Sequence, residues 1–349
     1  MINMLLMFLL VKHLCAFSTS QTRAGRRSFS ASGVSKFHRG LEYIDSKTLV
    51  SVEDSLDAYN AMKQGSDTEK NKIVFVDASW WHKGGLDGRT MFEKGPRISG
   101  AKYIDIDDIA LSPDLNIKAL PHMLPEPDLF AAAMDAFEIG TEDHIIIYAR
   151  ESVYFTTRVW FLFRTFGHDP SKLHLMQGSL EQWIDAGGDI DTEPTVVPKA
   201  KDLELGGDTN YGRLSAPSNV CDMDEVLDVF AQDGKDTLII DSRGSSFGNG
   251  HMPGALHIPY SSWVVSPDST LRWKNIDEVR KIFADAGVDP LTDKNIICSC
   301  GTGVSVCHTL LALELCGRDL KNEERTKMYD ASWSEWGAED ITLKTNNSI

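Results

Sequence analysis

The feature that most constrains this chain is a long-range internal repeat. Ile73-Val-Phe-Val-Asp77 is a short β-branched run ending in an acid, and Leu238-Ile-Ile-Asp241 echoes it. Ser99-Gly-Ala-Lys-Tyr-Ile104 returns as Pro253-Gly-Ala-Leu-His-Ile258, and Ile146-Ile147 returns as Ile296-Ile297. Leu175-Met-Gln-Gly178 followed by Trp183 returns as Lys327-Met-Tyr-Asp330 followed by Trp336. The order is the same both times, which points to two copies of one α/β unit. The apolar runs do not alternate, as expected of strands buried on both faces of a parallel sheet. Helix-type stretches lie between them at 51–64, 128–137 and 157–166. The predicted fold class is α/β, with two tandem domains, each a mostly parallel sheet flanked by helices. The domains are expected at 41–190 and 218–349. A Pro-, Gly- and charge-rich linker at 191–217 joins them.

The first forty residues stand apart. They hold six basic side chains (Lys12, Arg23, Arg26, Arg27, Lys36, Arg39) and no Asp or Glu. The apolar run 4–11 is too short to span a bilayer, and the Ser- and Arg-rich stretch after it has the composition of a transit segment. Residues 1–40 are therefore expected to address the chain to an organelle, the mitochondrion first, with plastid or cytoplasm as alternatives. No membrane span is expected in the mature form. The net charge of the whole chain is −16, and the acidic body beyond residue 40 is a poor nucleic-acid partner. At 349 residues and 42% apolar composition, a sizeable core is available.

One stretch carries the chemistry, 295–317, NIICSCGTGVSVCHTLLALELCG. It reads as a buried strand, a tight glycine-spaced loop and an apolar helix closed by Gly317. That arrangement places Cys300 at the mouth of a ring of backbone N–H groups on Gly301, Thr302, Gly303, Val304 and Ser305. Such a ring, with a helix start behind it, favours an anion, and a thiol there loses its proton more readily. Cys300 is the candidate nucleophile, and the loop residues are its candidate anion hole. Cys298, Cys307 and Cys316 read as buried packing cysteines. The cysteine spacing does not match structural zinc, and no metal or cofactor motif appears. A phosphatase loop needs an arginine six residues after its cysteine, where this chain has Val306.

The repeat supplies an internal control. Aligned on the isoleucine pairs, Cys300 of the second copy falls on Arg150 of the first. The first copy therefore lacks the nucleophile and is expected to wall one side of a site at the domain interface.

From Leu41 onward the chain resembles the two-domain rhodanese-like sulfurtransferases, and most of all their 3-mercaptopyruvate branch. The resemblance rests on Cys300-Gly-Thr-Gly-Val-Ser305, similar to the CGSGVT loop of that branch. It rests also on Asp77-Ala-Ser-Trp80, His122-Met-Leu-Pro125, Arg158-Val-Trp160, Gly250-His-Met-Pro-Gly-Ala255 and Tyr329-Asp-Ala-Ser-Trp-Ser-Glu-Trp-Gly337. The resemblance implies two rhodanese domains with the catalytic cysteine in the second. It also implies sulfur transfer from mercaptopyruvate through a Cys300 persulfide to cyanide or a thiol such as thioredoxin. Thiosulfate as donor, or a persulfide relay without a small donor of its own, are the alternatives. The thiosulfate branch carries charged residues after its cysteine (CRKGVT), and this chain has none there. One departure bears on the substrate. The stretch that carries carboxylate-binding arginines in the family is short here, 241–250, with Arg243 alone. Arg243 or Arg97 is expected to supply the missing countercharge. The acid that the family places near the loop's hydroxyl residue is expected at Asp87.

Overall fold

A computed structural model describes residues 40–338 apart from 65–71, 83–84, 152–154, 207–208, 212–213, 232–234, 267–271 and 321–324. The expected targeting segment lies outside the described residues. Two five-stranded parallel sheets dominate. The first runs Leu49–Ser51, Leu173–Ser179, His144–Ala149, Ile73–Asp77, Lys102–Tyr103, and the second runs Val220–Cys221, Thr326–Tyr329, Asn295–Ser299, Thr237–Asp241, Leu256–His257. The two orders are the same order, strand for strand, so the duplication seen in sequence is a duplication of topology. In both sheets the central strand is the isoleucine-pair strand. Every residue of His144–Ala149 is buried, as are Ile296 to Ser299, which is why these runs show no alternation.

Two helices seal the halves together. Helix Thr156–Thr165 is buried from Thr156 to Arg164, and helix Cys307–Leu315 from Cys307 to Leu313. A helix apolar on all sides must be covered on all sides, and these two cover one another. Polar ties cross the same seam. Arg164 pairs with Glu314 at 2.9 Å, and the Thr157 hydroxyl meets His308 Nδ1 at 3.0 Å. One apolar core runs through both halves, from Ile44 to Met328.

The stretch 191–217, expected as a linker, is strapped to the first half. Ile190–Asp191 pairs antiparallel with Arg97–Ile98. The Thr195 N–H bonds the Glu93 carbonyl, and the Val197 N–H bonds the Glu93 side chain. Val197 and Tyr211 are buried, Tyr211 edge-on to Phe130 at 5.4 Å. Single apolar residues in a polar stretch leave no period to read, yet Val197 and Tyr211 are buried.

Buried histidines give the first half a pH-dependent stability. His174 donates from Nδ1 to the Lys47 carbonyl, which leaves its Nε2 to accept from His144 Nδ1 at 3.0 Å. His168 lies between Tyr211 and the Asp143 carbonyl. Burial pushes His144 and His168 down to about 4, and His174 down also. These rings fold neutral and unfold into chains that take up protons near 6.5. Their contribution is complete above that pH and is lost as pH falls towards about 4. We expect the melting temperature to drop steadily from pH 7 to pH 4.5; a flat profile over that range would contradict this.

Candidate active site

In parallel α/β sheets, ligands bind outside the carboxyl ends of the strands, where neighbouring connections diverge. In the second sheet that point lies between Thr237–Asp241 and Asn295–Ser299, which pair in register with Ser299 opposite Asp241. Arg243 follows the first of these strands and Cys300 the second. The Ser242 N–H bonds the Ser299 carbonyl at 2.8 Å, and the Tyr260 N–H bonds the Ser242 carbonyl, so three strand ends are laced together there.

The loop after Ser299 is held by its backbone. The Cys300 N–H donates to Ser332 Oγ at 3.0 Å. The Cys300 carbonyl accepts from Trp333 N–H at 3.0 Å, and the Gly301 carbonyl from Ser334 N–H at 2.8 Å. The Gly303 carbonyl accepts from Arg158 Nη1 at 2.9 Å. Among the described residues, the N–H groups of Gly301, Thr302, Gly303, Val304 and Ser305 meet no acceptor. A trans peptide points its C=O and N–H in opposite directions, so carbonyls tied to the outside leave donors turned to the inside. Gly303 makes the turn possible at φ +76°, where an L side chain is strained. A Cβ there would come within 2.5 Å of the Asp330 carbonyl and carboxylate oxygens.

A cavity of about 370 Å³ opens on this loop, lined by Gly301, Thr302, Val304 and Ser305. Arg243, Ser245, Ser246 and Tyr260 form its second-half wall, and Trp80, His82 and Phe155 its first-half wall. Cys300 is 1% exposed, set one residue back from the lining. The other described thiols are buried as well. Burial raises Cys307 and Cys221 to about 12 and raises Cys298 and Cys316 as well. Cys298, Cys307 and Cys316 are buried, as expected of packing cysteines, and Cys221 is buried with them.

Arg243 does reach the cavity. Its Nε and Nη2 bond the Asp241 carboxylate, Nη2 also bonds the Gly250 carbonyl, and its plane lies 4.1 Å from the Trp333 ring. Nη1 has no partner among the described residues. Arg97 and Asp87, the other expected substrate residues, are not among the residues that line the cavity. Arg97 sits in the antiparallel ladder with Ile190–Asp191, donates to the Phe92 carbonyl and lies over the Phe92 ring. Asp87 caps helix Gly88–Lys94. The Thr90 hydroxyl and N–H hold its carboxyl below the usual range, an Asp-x-x-Thr cap visible in the sequence. His308 is no cation beside the loop, because burial pushes it down to about 3.

The first half shows what becomes of the duplicate position. Arg150 follows the central strand, as Cys300 does in the second half. Its guanidinium lies 3.3 Å from the fully buried Asp77. Burial pushes the Asp77 carboxyl up, and the Arg150 charge opposes this.

Sequence reasoning missed the polar groups that support the loop from afar. Arg158 is 1% exposed, reaches across the seam to Gly303 and to Asp330 at 3.0 Å, and donates within its own half to the His122 carbonyl at 2.6 Å. Asp330 also accepts from Leu124 N–H at 2.7 Å. Trp80 is fixed by its bond to Asp107, which His122 bonds in turn. Two arginines, Arg158 and Arg164, in an otherwise apolar helix were the available signal, since buried arginines are found paired.

The comparisons with known proteins agree with this geometry. Residues 223–339 match the rhodanese-like domain. The 3-mercaptopyruvate sulfurtransferase of Escherichia coli is 34% identical over 281 residues, covering 76% of this chain and 90% of that protein. The chain belongs to the rhodanese-like sulfurtransferases. A relative in Arabidopsis thaliana, thiosulfate/3-mercaptopyruvate sulfurtransferase 1, mitochondrial, is 26% identical over 299 residues, covering 79% and 75%. Among solved structures, that of SseA from Escherichia coli superposes with a TM-score of 0.63 at 27% identity, covering 82% of this sulfurtransferase and 99% of that chain. The sulfurtransferase is thus an α/β enzyme of two parallel-sheet domains. No helix among its described residues is long and apolar enough to cross a membrane.

Proposed function

We propose that the enzyme moves sulfur from 3-mercaptopyruvate to a thiol acceptor such as thioredoxin, or to cyanide, through a persulfide on Cys300. The observation that carries this reading is the run of loop N–H groups from Gly301 to Ser305 without acceptors, beside a cysteine at the end of the central strand. A row of donors around a thiol favours the thiolate and the anionic persulfide alike. The thiolate attacks the donor's sulfur. The S–C bond breaks, its electron pair passes to carbon as the pyruvate enolate, and the enolate takes up a proton. The acceptor's thiolate then removes the outer sulfur and restores Cys300.

Charge favours the monoanionic donor. Among the described residues, Arg243 supplies the one guanidinium in the cavity lining, and no lysine lines it. Two of its nitrogens already serve Asp241, so Nη1 alone is left for a carboxylate or keto oxygen. Thiosulfate, a dianion, would find less countercharge. A three-carbon donor fits the cavity of about 370 Å³ that opens on the loop. By this reading the first domain is catalytically vacant and serves as wall and brace. The mitochondrial relative supports the same compartment for this chain.

A donor panel followed by intact-mass detection of one added sulfur tests the proposal. Mercaptopyruvate is expected to load Cys300 with higher efficiency than thiosulfate. Arg243→Lys keeps the charge but loses the fork, and is expected to raise KM for mercaptopyruvate about tenfold or more. Better loading by thiosulfate would overturn the donor assignment.

A further inference from the structure

The loop around Cys300 belongs to the second domain, but its peptide orientation is not decided there alone. Arg158 comes from the first domain, on helix Thr156–Thr165. We propose that Arg158 is a positioning residue: by holding the Gly303 carbonyl on the outside of the loop, it turns the Val304 N–H inward, toward the place where sulfur is anionic. The inference rests on Cys300 being the nucleophile and deepens that reading.

Three observations carry it. The Cys300 and Gly301 carbonyls are tied by Trp333 and Ser334 of the second domain itself. The Gly303 carbonyl has no backbone tie of that kind: among the described residues the second domain offers it the Cys307 thiol, a weak donor at 3.6 Å, and the charged donor it meets is Arg158 Nη1 at 2.9 Å. The peptide between Gly303 and Val304 is the one that could most easily flip, because glycine accepts both signs of φ. A flip would aim a carbonyl oxygen, partly negative, where a donor now points. The guanidinium is itself held on both flanks, by Asp330 at 3.0 Å and by the His122 carbonyl at 2.6 Å. His122 adopts φ +60°, so that carbonyl is delivered by an unusual backbone turn. Docking of the vacant half thus sets the donor geometry of the active half. Among the described residues, the charged and titratable groups around the loop are Arg158 with Asp330 on one side, Arg243 with Asp241 on the other, His82 across the cavity and His308, neutral, behind.

The test uses the full chain and does not need a sulfur donor. The rate of Cys300 alkylation by iodoacetamide is followed from pH 5 to pH 9, with the labelled residue located by peptide mass mapping. Arg158→Lys retains the charge but cannot span the Gly303 carbonyl, Asp330 and the His122 carbonyl together. Its half-maximal pH is expected to rise by about one unit, making labelling at neutral pH about tenfold slower. Arg158→Met is expected to shift it further. Arg164→Met is the control. It breaks an ion pair across the same helix seam, so it lowers the melting temperature, but it touches nothing in the loop and should leave the profile in place. If Arg158→Lys gives the wild-type profile, or shifts it no more than Arg164→Met, the positioning role is overturned. Should Arg158→Met fail to fold, Arg158→Lys still decides. If wild-type Cys300 is not the residue labelled, the nucleophile assignment falls, and this role with it.

Discussion

Cys300→Ser is expected to leave a folded protein that takes up no sulfur from mercaptopyruvate. The hydroxyl fits where the thiol was, since the residue is held by its backbone N–H and carbonyl, which the substitution keeps. The chemistry does not survive. A serine hydroxyl ionises far less readily than a thiol, and neither His308, which meets Thr157, nor Asp87, which caps a helix, is placed to take its proton. Turnover should fall by about 10⁴-fold or more, as it does when a covalent nucleophile is removed. The melting temperature should stay near that of the wild type. Intact mass after incubation with the donor is the direct measurement, and an added sulfur on the serine variant would refute the persulfide mechanism. The four remaining described cysteines cannot stand in, because burial keeps them as thiols.

Gly303→Ala is expected to be the most damaging change that removes no functional group. It adds one methyl at φ +76°, within 2.5 Å of two Asp330 oxygens. Neither oxygen can easily give way. One belongs to the backbone, and the carboxylate is fixed between Arg158 and Leu124. The loop must therefore rotate, and the donors of Gly301 to Ser305 leave their arrangement. Losing one such donor costs about 10²–10³ in rate in other anion holes, and this change disturbs several. The strain itself destabilises by about 1–3 kcal/mol. A variant with wild-type turnover would mean that the loop N–H groups do not support the reaction. A far larger loss of turnover than of melting temperature is the expected signature.

The helix and strand positions were legible because each depends on residues close together. Ile146-Ile147 and Ile296-Ile297 mark central strands by their unbroken apolarity, and both strands formed. The step after each central strand was legible too: Arg150 stands in the first half where Cys300 stands in the second. The substrate residues were harder. Arg97 was read as a countercharge from its place in a motif, but a two-residue ladder turns it to Phe92. Asp87 was read as a partner for the loop, but its nearest donor is three residues away and wins. Local hydrogen bonds of this kind need no tertiary search, which is why a short polar side chain near a helix start so often caps it.

The amino-acid sequence by itself determined the duplicated α/β plan, the strand–loop–helix around Cys300, the glycine that lets the loop turn and the lack of a nucleophile in the first half. Each follows from periodicity, turn chemistry or the repeat. Only the tertiary structure decided which carbonyls of that loop are tied outward, and by whom. Ser332 and Trp333 come from about thirty residues downstream and Arg158 from the other domain. A hydrogen-bonding group buried with its partner must be matched across whatever chain distance the fold closes. That distance leaves no pattern in the sequence, so the aim of the anion hole is a property of the folded pair of domains.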